Sequence, residues 1–587
     1  MTPPRSEYPR PQFRRDEWLC LNGPWQFEID AGDSGLQRGL KDRELAGRIL
    51  VPFCPESELS GVGDTDFLNA VWCRRTVRIP DAWAGRKVLL HFQAVDYDAT
   101  VWVNGREVGR HRGGFTPFTC DLAGLAEAGR EATIVVRARD DHRAAKPQGK
   151  QCPDYANRVC HYTRTTGIWQ TVWMEPVPHA HLLRPRITPD VAHGRFLIRQ
   201  GVRGPHAGCR VRATLRDGDG AVCTAEAPAG ADFTPQLVLD IPEDRIRLWQ
   251  PGEGFLYDLE LELLSPQGEP IDRAASYAGL RSVTIDGKAV RINGRAVFQR
   301  LVLDQGYYPD GIMTAPSDEA LRRDVELSMA AGFNGARLHQ KVFEERFLYH
   351  ADRAGYLVWG EFADWLRGRT PTGATYVTQW LEVLERDYSH PCIIGWCPLN
   401  ETRERLGDRI TEHDDIMRGM FLAAKAADPT RPVLDTSGYS HRVAEADVYD
   451  SHDYAQDPAK LHEHHAALAD GRPYVNENDW HSSVAYAGQP YFVSEFGGIW
   501  WNPKAAEGEA SWGYGDRPKT VEEFYERFEA LTGVLLEHPE MFGYCYTQLT
   551  DVFQEQNGVY YFDRSEKFDL GRIRAAQVRP AAIETKD

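Results

Sequence analysis

The spacing of hydrophobic residues differs between successive regions of the chain. Over residues 21–176, short segments alternate between apolar and polar side chains and are separated by turn residues such as Asn104-Gly105, a pattern typical of half-buried strands. Alternating segments continue over residues 178–288. After Gly294, short continuous apolar runs are separated by amphipathic helical patterns, which indicates buried parallel strands joined by helices.

These changes predict a multidomain fold with three domains. We expect an N-terminal β jelly-roll sandwich of the sugar-binding kind over residues 1–177, an immunoglobulin-like β-sandwich over residues 178–288, and a C-terminal (β/α)8 TIM barrel over residues 289–587. The length of 587 residues agrees with this division, because chains of this size split into several cores.

The barrel needs eight strands and the helices between them. The strands are predicted at Ala296–Leu303, Gly335–His339, Leu357–Glu361, Cys392–Cys397, Val433–Thr436, Val448–His452, Tyr491–Glu495 and Gly543–Gln548. Helices are predicted at Ser317–Ala331, Phe343–Ala354, Thr378–Tyr388, Asp414–Ala427 and Val521–Leu536.

Composition narrows the class of partner. The chain carries 86 acidic and 68 basic side chains, a formal charge of −18, so Coulomb repulsion disfavours nucleic acid and anionic membranes as partners. The sequence shows no apolar run long enough to span a membrane and no apolar core of a signal peptide near residue 1. The eleven cysteines lack paired spacing, so we expect reduced thiols and a cytoplasmic location. A homo-oligomer is compatible with the sequence.

Polar residues collect at the ends of the predicted barrel strands, where barrel enzymes place their chemistry. They are Asp304, Arg337, His339, Glu361, Asn400, Glu401, His452, Tyr454, Glu495, Gln548 and Asp551. Glu401 and Glu495 are the predicted catalytic pair. Their separation of 94 residues corresponds to three βα units of about 30 residues, which places them on strands four and seven, on opposite sides of the barrel mouth.

Two carboxylates facing each other across a barrel mouth suit acetal cleavage. One protonates the leaving oxygen, and the other attacks or stabilises the anomeric carbon. A separation of about 5–5.5 Å would indicate retention of configuration and a wider one inversion, and the sequence leaves this distance open. Arg337 and Tyr454 are candidates for keeping the nucleophile ionised, and the apolar flank around Trp396 would help the acid to keep its proton.

Two groups of residues stand out around strands four and seven. They are His390-Pro391, Trp396 and Asn400-Glu401, and Ser494-Glu495-Phe496-Gly497. These motifs resemble the acid/base and nucleophile signatures of glycoside hydrolase family 2, the family of β-galactosidases, β-glucuronidases and β-mannosidases. The similarity extends to Asn293-Gly294, Gly332–Arg337, Gly355–Glu361 and, in the first β region, Gly113–Phe118. The resemblance implies a retaining mechanism with Glu401 as acid/base and Glu495 as nucleophile. It also implies that Asn400 binds the 2-hydroxyl of the sugar and that Tyr454 and Arg337 support Glu495.

The identity of the sugar stays open at this point. Where much of the family shows Arg-x-Ser-His, the chain reads Arg337-Leu338-His339, and strand eight lacks the tryptophan that many members have. The Asn-x-Lys motif of β-glucuronidases occurs only as Asn502-Pro503-Lys504, directly after strand seven rather than late in the barrel. We therefore predict an exo-acting, β-galactosidase-like β-glycosidase. A β-glucuronidase is the alternative, as are other family members such as a β-mannosidase, galactofuranosidase or arabinosidase.

Substrate contacts are expected from the remaining polar rim and from one aromatic residue. Trp500 would form a stacking wall for a sugar ring or would plug the barrel rim. We expect His339, Asp304, Trp500 and the strand-eight loop to determine the choice of sugar. The predicted substrate-binding residues are Asn400, Arg337, His339, His452, Tyr454, Asp304, Trp500, Gln548 and Asp551.

Other classes of function are weaker hypotheses. A non-catalytic carbohydrate-binding protein would share the fold, but the presence of both carboxylates and Asn400 argues against it. His462, His464 and His465 lack a companion ligand at metal spacing and are interpreted as part of a solvated helix. No phosphate or dinucleotide motif occurs between a strand and a helix. We therefore expect no metal and no cofactor, and an oligosaccharide or glycoside as substrate.

Overall fold

Two antiparallel sheets enclose a core in the N-terminal part of the chain. The computed structural model describes residues 3–218, 220–366, 372–476, 481–504 and 510–586. Its first strands are β1 (Leu19–Cys20), β2 (Gly23–Ile29), β3 (Gly47–Val51), β4 (Ala70–Arg78), β5 (Lys87–Phe92), β6 (Val95–Asp96), β7 (Asp98–Val103), β8 (Arg106–Arg112), β9 (Phe118–Asp121), β10 (Glu131–Arg139), β11 (Gly167–Ile168) and β12 (Val172–Val177).

These strands pack as a sandwich. One sheet has the order β1-β12-β5-β9, the other has the order β3-β2-β4-β10-β7-β8, and β11 pairs with β6. Alternate residues of each sheet enter one shared core, for example Phe27, Val101 and Ile134 from one sheet and Leu90 and Met174 from the other. Each such side chain contributes about 1.5–3 kcal/mol to folding when it is fully buried. The predicted β-rich character of this region is confirmed, and the finer assignment as a jelly roll stays a prediction.

A second antiparallel sandwich follows. Its strands are β13 (His181–Leu182), β14 (Arg186–Asp190), β15 (Arg195–Arg199), β16 (Val202–Arg203), β17 (Arg210–Asp217), β18 (Gly220–Pro228), β19 (Gln236–Asp240), β20 (Tyr257–Leu264) and β21 (Pro270–Ala278). The sheet β14-β15-β19 faces the sheet β18-β17-β20-β21 across a core that includes Ile198, Leu239, Val211 and Leu261. The immunoglobulin-like topology stays a prediction.

A small meander connects this sandwich to the last part of the chain. It consists of β22 (Val283–Asp286), β23 (Ala289–Ile292) and β24 (Arg295–Ala296). Its buried residues Val290 and Ile292 belong to the same core as the C-terminal parallel sheet. The predicted boundaries at residues 177 and 288 remain predictions.

A parallel sheet of seven strands forms the C-terminal part. The strands are β25 (Gln299–Asp304), β26 (Gly335–Leu338), β27 (Leu357–Glu361), β28 (Ile393–Cys397), β29 (Tyr449–Asp453), β30 (Tyr491–Gly497) and β31 (Met541–Thr547). Their order is β28-β27-β26-β25-β31-β30-β29, so the first and last strands along the chain are neighbours in a curled sheet. This arrangement is consistent with a (β/α)8 barrel.

The prediction of a strand at Val433–Thr436 is wrong, because this segment of the described chain forms isolated bridges only. It accompanies β28, where the Leu434 amide donates to the Trp396 carbonyl at 2.9 Å. On its other side, it has one backbone hydrogen bond, from the Asp447 amide to the Val433 carbonyl at 3.1 Å, and its other bonds go to carboxylates. The Val433 amide donates to Asp447 Oδ2 at 2.8 Å, and the Gly438 amide donates to Asp450 Oδ1 at 3.1 Å. These side-chain hydrogen bonds replace the ladder that β29 would otherwise provide.

The described residues of the same part of the chain form seven α-helices. They are α1 (Asp318–Ala330), α2 (Glu345–Ala354), α3 (Gly373–Asp387), α4 (Glu412–Ala427), α5 (Pro458–His465), α6 (Val521–Leu536) and α7 (Leu570–Gln577). The Ser317 hydroxyl caps α1 by accepting from the Ala320 amide, as its sequence position predicts. The helix predicted at Thr378–Tyr388 begins earlier, at Gly373.

Glycines and tryptophans pair between β27 and β28. A Cβ atom at Gly360 would lie 2.7 Å from the Trp396 ring, and one at Gly395 would lie 2.7 Å from the Trp359 ring. The bulky residue of each strand thus fills the space left by the glycine of the other, and this close packing determines how the two strands lie side by side.

Two predictions concern the whole chain. Eight of the eleven cysteines are buried, and their reduced state stays a prediction. Over the described residues, no helix is both long and apolar enough to cross a bilayer.

Candidate active site

The carboxyl ends of the parallel strands surround one cavity. It is lined by Lys150, Cys160, Leu303, His339, Trp365, Asn400, Glu401, Tyr454, Glu495, Tyr514, Thr547 and Glu555. The structure therefore brings together both predicted catalytic residues and three of the predicted substrate-binding residues, Asn400, His339 and Tyr454. His452 and Arg337 lie directly behind them and contact the two carboxylates.

Glu495 lies near the carboxyl end of β30, whose residues are all buried, and receives two donors. The Arg337 Nη2 atom donates to its Oε1 atom, and the Tyr454 hydroxyl donates to its Oε2 atom at 2.5 Å. The carboxylate is only 4% exposed. Because one donor is a cation and the other a phenol, both stabilise a negative charge at this position.

Arg337 is held at the centre of the site by its strand. A Cβ atom at Gly335 would lie 2.4 Å from the Leu357 carbonyl oxygen, so only a glycine lets β26 approach β27 this closely. The fully buried guanidinium then reaches Glu361, Glu495 and, at 3.2 Å, the Asn400 Oδ1 atom. Although burial opposes its charge, Glu361 and Glu495 hold the pKa of Arg337 above its ordinary value.

Replacing Arg337 should destabilise the barrel. Arg337→Met leaves Glu361 and Glu495 buried without their cation, and breaking a buried pair in this way costs about 3–5 kcal/mol. We expect a loss of that size in the free energy of unfolding, measured by urea denaturation followed with tryptophan fluorescence. The control Arg106→Met removes an exposed arginine of β8 and should leave the free energy unchanged. Equal stability of the two variants would contradict the ion-pair network.

Glu401 follows β28 in a strained conformation. Its φ angle is +44°, a left-handed conformation that costs a residue other than glycine about 1–3 kcal/mol. Its amide donates to the Ser437 carbonyl at 2.8 Å, which fixes the backbone. The side chain, 13% exposed, points its Oε1 atom at His452 Nδ1, 3.0 Å away.

His452 orients Glu401 from behind. Its Nε2 atom lies 2.9 Å from the Ser437 hydroxyl, so both ring nitrogens have partners. Gly438 leaves room for the ring, since a Cβ atom there would lie 2.7 Å from it. His452 Nδ1 also lies 3.3 Å from Glu495 Oε2, and the histidine thus stands between the two carboxylates.

The two carboxylates are close together. One oxygen of Glu401, one oxygen of Glu495 and one nitrogen of His452 all lie within 4.8 Å of one another. This proximity is compatible with the separation of about 5–5.5 Å between the carboxyl groups of retaining glycosidases. The same three atoms could ligate a cation, but Arg337 and Tyr454 already donate to Glu495 and would compete with it.

Tyr454 is positioned by stacking. Its ring lies parallel to that of Tyr514, with a centroid distance of 3.4 Å and an interplanar angle of 4°. Burial raises the pKa of Tyr454, and the negative charge of Glu495 raises it further. The phenol therefore stays protonated and remains a donor to Glu495.

His339 is a neutral donor or acceptor in the cavity wall. Burial lowers its pKa, and the positive charges of Lys150 and Arg337 lower it further. Its Nδ1 atom lies 3.0 Å from Glu361 Oε1. Burial raises the pKa of Glu361 to about 7 in spite of Arg337. At neutral pH the imidazole contributes a hydrogen-bonding group to the cavity without a charge.

Comparison with known proteins agrees with this geometry. Residues 64–171 match the family model described as "Glycosyl hydrolases family 2, sugar binding domain", and residues 180–281 match the model described as "Glycosyl hydrolases family 2". The chain belongs to glycoside hydrolase family 2. As a family 2 member it is a glycoside hydrolase, in agreement with the resemblance found in its motifs.

Relatives of this family 2 enzyme carry two different names. It is 26% identical over 448 residues to a β-glucuronidase of Paenibacillus borealis, covering 70% of this chain and 72% of that protein. It is 25% identical over 379 residues to a β-galactosidase of Thermoanaerobacter pseudethanolicus, covering 63% of this chain and 49% of that protein. The chain thus spans about half the length of this second relative.

Solved structures share the fold of this family 2 enzyme. A Lactobacillus rhamnosus β-glucuronidase superposes with a TM-score of 0.79 at 20% identity, covering 98% of this chain and 99% of that one. A Ruminococcus gnavus β-glucuronidase in complex with an N1-substituted uronic isofagomine gives a TM-score of 0.78 at 18% identity, covering 97% and 99%. At such identities the likeness concerns the fold alone.

Besides Arg337 and His452, four other predicted substrate-binding residues of the family 2 enzyme do not line the cavity. Asp304 accepts from the Gly306 amide at 2.9 Å, and burial together with Asp324 raises its pKa to about 7. Gln548 donates to Asn557 Oδ1 at 2.8 Å. The other two also have partners behind the wall: Asp551 binds Lys567 Nζ at 2.6 Å, and the Trp500 ring lies 6.0 Å from the Arg517 guanidinium. Their direct role in substrate binding stays a prediction.

The histidines of α5 agree only in part with the prediction of a solvated helix. His462 is exposed, but His465 is buried, and His464 Nδ1 lies 2.7 Å from Asp453 Oδ2 at the end of β29. The helix is therefore attached to the sheet by a carboxylate that the sequence pattern did not associate with it.

Part of the cavity wall was missed by sequence reasoning. Lys150 and Cys160 come from the first β region, and Trp365, Tyr514 and Glu555 come from barrel loops. Residues 140–166 form a long segment without extended strands between β10 and β11. Because long irregular loops in compact domains are usually functional, the length of this segment could have indicated its contribution to the site.

Residues 140–166 form hydrogen bonds with loops at the rim of the barrel. The Gly149 amide donates to the Ala363 carbonyl at 2.8 Å. The Val159 carbonyl accepts from Trp512 Nε1 at 2.7 Å and from Gln554 Nε2 at 2.6 Å. The N-terminal β region thus forms one side of the active site.

Proposed function

We propose that this enzyme is a retaining, exo-acting β-glycosidase that releases terminal β-linked sugars, of the β-galactosidase kind, through a covalent glycosyl-enzyme. The observation that carries the proposal is a pair of carboxylates that have one oxygen each within 4.8 Å of the other and that lie in unlike surroundings. Glu495 is held by a cation and a phenol, whereas Glu401 is more exposed and contacts a histidine.

The first step follows from these surroundings. Glu495, stabilised as an anion, attacks the anomeric carbon and forms an ester bond to it. Glu401 gives its proton to the glycosidic oxygen as the bond to the leaving alcohol breaks. Asn400, whose Oδ1 atom accepts from Arg337, has its amide nitrogen available for the 2-hydroxyl of the sugar.

The second step reverses the roles. Glu401, now a carboxylate, takes a proton from a water molecule that attacks the anomeric carbon, and the ester bond to Glu495 breaks. His452, bound to Glu401 and Ser437, keeps the acid/base oriented in both steps. The two inversions give a product with retained configuration.

A β-glucuronidase is the second candidate. The relative from Paenibacillus borealis and the two superposed structures described above carry that name. The Asn502-Pro503-Lys504 sequence offers it little support. Lys504 Nζ lies 3.9 Å from the centroid of the Tyr561 ring, and neither Asn502 nor Lys504 lines the cavity.

Proton NMR of the first-formed product tests the mechanism. We expect wild-type enzyme, incubated with a panel of nitrophenyl β-galactoside, β-glucoside, β-mannoside and β-glucuronide, to release the β-anomer first from the sugar that it accepts. Initial release of the α-anomer would contradict retention. Binding without hydrolysis of any member would favour a carbohydrate-binding protein.

A further inference from the structure

Lys150 is a buried cation that makes no hydrogen bond or ion pair with the residues that the structure describes. It is 5% exposed and lines the cavity that holds Glu401 and Glu495. Four lysines are buried in the part of the chain that the structure describes. Lys146 pairs with Asp140, Lys567 with Asp551, and Lys341 donates to the Gly306 carbonyl at 2.6 Å. Only the ammonium of Lys150 makes no hydrogen bond or ion pair with a described residue.

The backbone holds Lys150 in this position. A Cβ atom at Gly149, where φ is +61°, would lie 2.0 Å from the Gln340 carbonyl oxygen, so only glycine permits this contact with the barrel. The Lys150 carbonyl accepts from the Tyr162 amide at 2.8 Å. The backbone at Gly149 and at the Lys150 carbonyl is therefore held in place, and it directs the ammonium of Lys150 into the cavity.

Glu555 lies on the same side of the cavity. Lys150 Nζ is 5.7 Å from the centroid of the Tyr162 ring, and the hydroxyl of that ring donates to Glu555 Oε2. Glu555 Oε1 accepts from Asn557 Nδ2 at 3.3 Å. The ammonium and the carboxylate face the cavity as neighbours but do not form an ion pair. The ammonium can only donate hydrogen bonds, and the carboxylate only accepts them when it is ionised. Burial raises the pKa of Glu555, and the charge of Lys150 opposes this by favouring the ionised form.

A sugar diol matches this pair. One hydroxyl oxygen accepts from the ammonium while the adjacent hydroxyl donates to the carboxylate, and both bonds involve a charged partner. The carboxylate of a uronate is a poor ligand for the pair formed by Lys150 and Glu555. The cavity already contains Glu401, Glu495 and Glu555, and the charge of Arg337 is engaged by Glu361 and Glu495. A further carboxylate would meet a single unpaired cation among three acidic groups.

We propose that Lys150 and Glu555 bind two neighbouring hydroxyl groups of a neutral terminal sugar and thereby make the enzyme select neutral glycosides over uronides. Lys150, contributed by the N-terminal β region, is then a specificity residue of the catalytic cavity. This inference rests on the proposed function, because it takes the cavity around Glu495 as the site of the terminal sugar.

The test combines a variant with substrates that lack single hydroxyl groups. Lys150→Met should lower kcat/KM for the preferred nitrophenyl β-glycoside on the order of 10- to 100-fold, the range for hydrogen bonds to charged groups. Among the monodeoxy analogues of that substrate, the one without the hydroxyl bound by Lys150 should react equally with wild type and Lys150→Met. Glu555→Gln should show the same insensitivity to loss of the adjacent hydroxyl.

Controls separate binding from folding. Lys460→Met, an exposed position of α5, should keep full activity, and the melting temperature of Lys150→Met should stay close to that of the wild type. Full activity of Lys150→Met on every neutral glycoside would overturn the inference while leaving the proposed function intact. A wild type that prefers the glucuronide, and loses only that activity in Lys150→Met, would overturn it in favour of uronate binding. A wild type that hydrolyses no glycoside and takes no covalent label at Glu495 would defeat the proposed function, and this inference with it.

Discussion

Glu495→Ala is expected to lower kcat/KM for nitrophenyl β-glycosides by about 10⁴- to 10⁶-fold, the loss typical of removing a nucleophile. The structure supports this size of effect. Arg337 and Tyr454 both donate to Glu495, so the site is arranged to stabilise a charge that the variant lacks. Glu401 can then still protonate the leaving group, but nothing attacks the anomeric carbon.

An added nucleophile makes the Glu495 test specific. Azide can enter the space left by the side chain and attack from the same face, and the product should be the α-glycosyl azide, formed with one inversion. Glu463→Ala, an exposed position of α5, is the matched control and should react like the wild type. Substantial activity of Glu495→Ala without azide would remove Glu495 from the mechanism.

Glu401→Ala is expected to depend strongly on the leaving group. Loss of a general acid costs about 10²- to 10⁴-fold, and the full loss should appear with alkyl glycosides, whose alcohols leave only when protonated. Dinitrophenyl glycosides should form the glycosyl-enzyme almost as fast as with wild type, because their leaving group needs no proton. Hydrolysis of that intermediate then becomes slow, since no base activates water.

Azide distinguishes Glu401 from Glu495 by stereochemistry. In Glu401→Ala, azide attacks the glycosyl-enzyme without base help, so turnover should recover and give the β-glycosyl azide. Equal losses for all leaving groups, or an α-azide product, would contradict the role of Glu401 as acid/base. His452→Ala is a useful companion, because it leaves the Glu401 carboxylate in place and removes its 3.0 Å contact with Nδ1, together with the contacts of the ring to Ser437 and Glu495.

The catalytic pair could be predicted from sequence because each member lies shortly after an apolar run. Cys397 ends one run four residues before Glu401, Val493 ends the other two residues before Glu495, and parallel strands end on one side of the sheet. Local pattern therefore determined which end of the barrel carries Glu401 and Glu495. It did not determine their separation, which depends on φ at Glu401 and on the contacts of His452.

Two kinds of feature escaped prediction for physical reasons. The segment at Val433–Thr436 has the composition of a strand, but Asp447 and Asp450 accept the amide hydrogen bonds that a ladder would use. The second kind is the wall formed by Lys150 and Cys160. Its position depends on how a loop of one domain packs onto another, and such contacts between distant segments leave no periodic signal.

The sequence also did not predict how other polar residues at the strand ends are oriented. Asp304 and Asp551 end apolar runs as Glu401 and Glu495 do, yet they are engaged by Gly306 and Lys567 behind the cavity wall. A polar residue at a strand end is therefore placed near the site by its sequence, whereas its orientation is determined by partners that the sequence does not reveal.

The central claim is that Glu495 becomes covalently bonded to the sugar, and mass spectrometry of the trapped enzyme tests it most directly. A dinitrophenyl 2-deoxy-2-fluoro-β-glycoside of the accepted sugar should inactivate the enzyme, because the fluorine slows both steps while the good leaving group lets the first one proceed. After proteolysis, we predict the added mass on Glu495 in the peptide that contains Ser494-Glu495-Phe496. A label on Glu401 or elsewhere, or no label while hydrolysis inverts the anomer, would contradict the account.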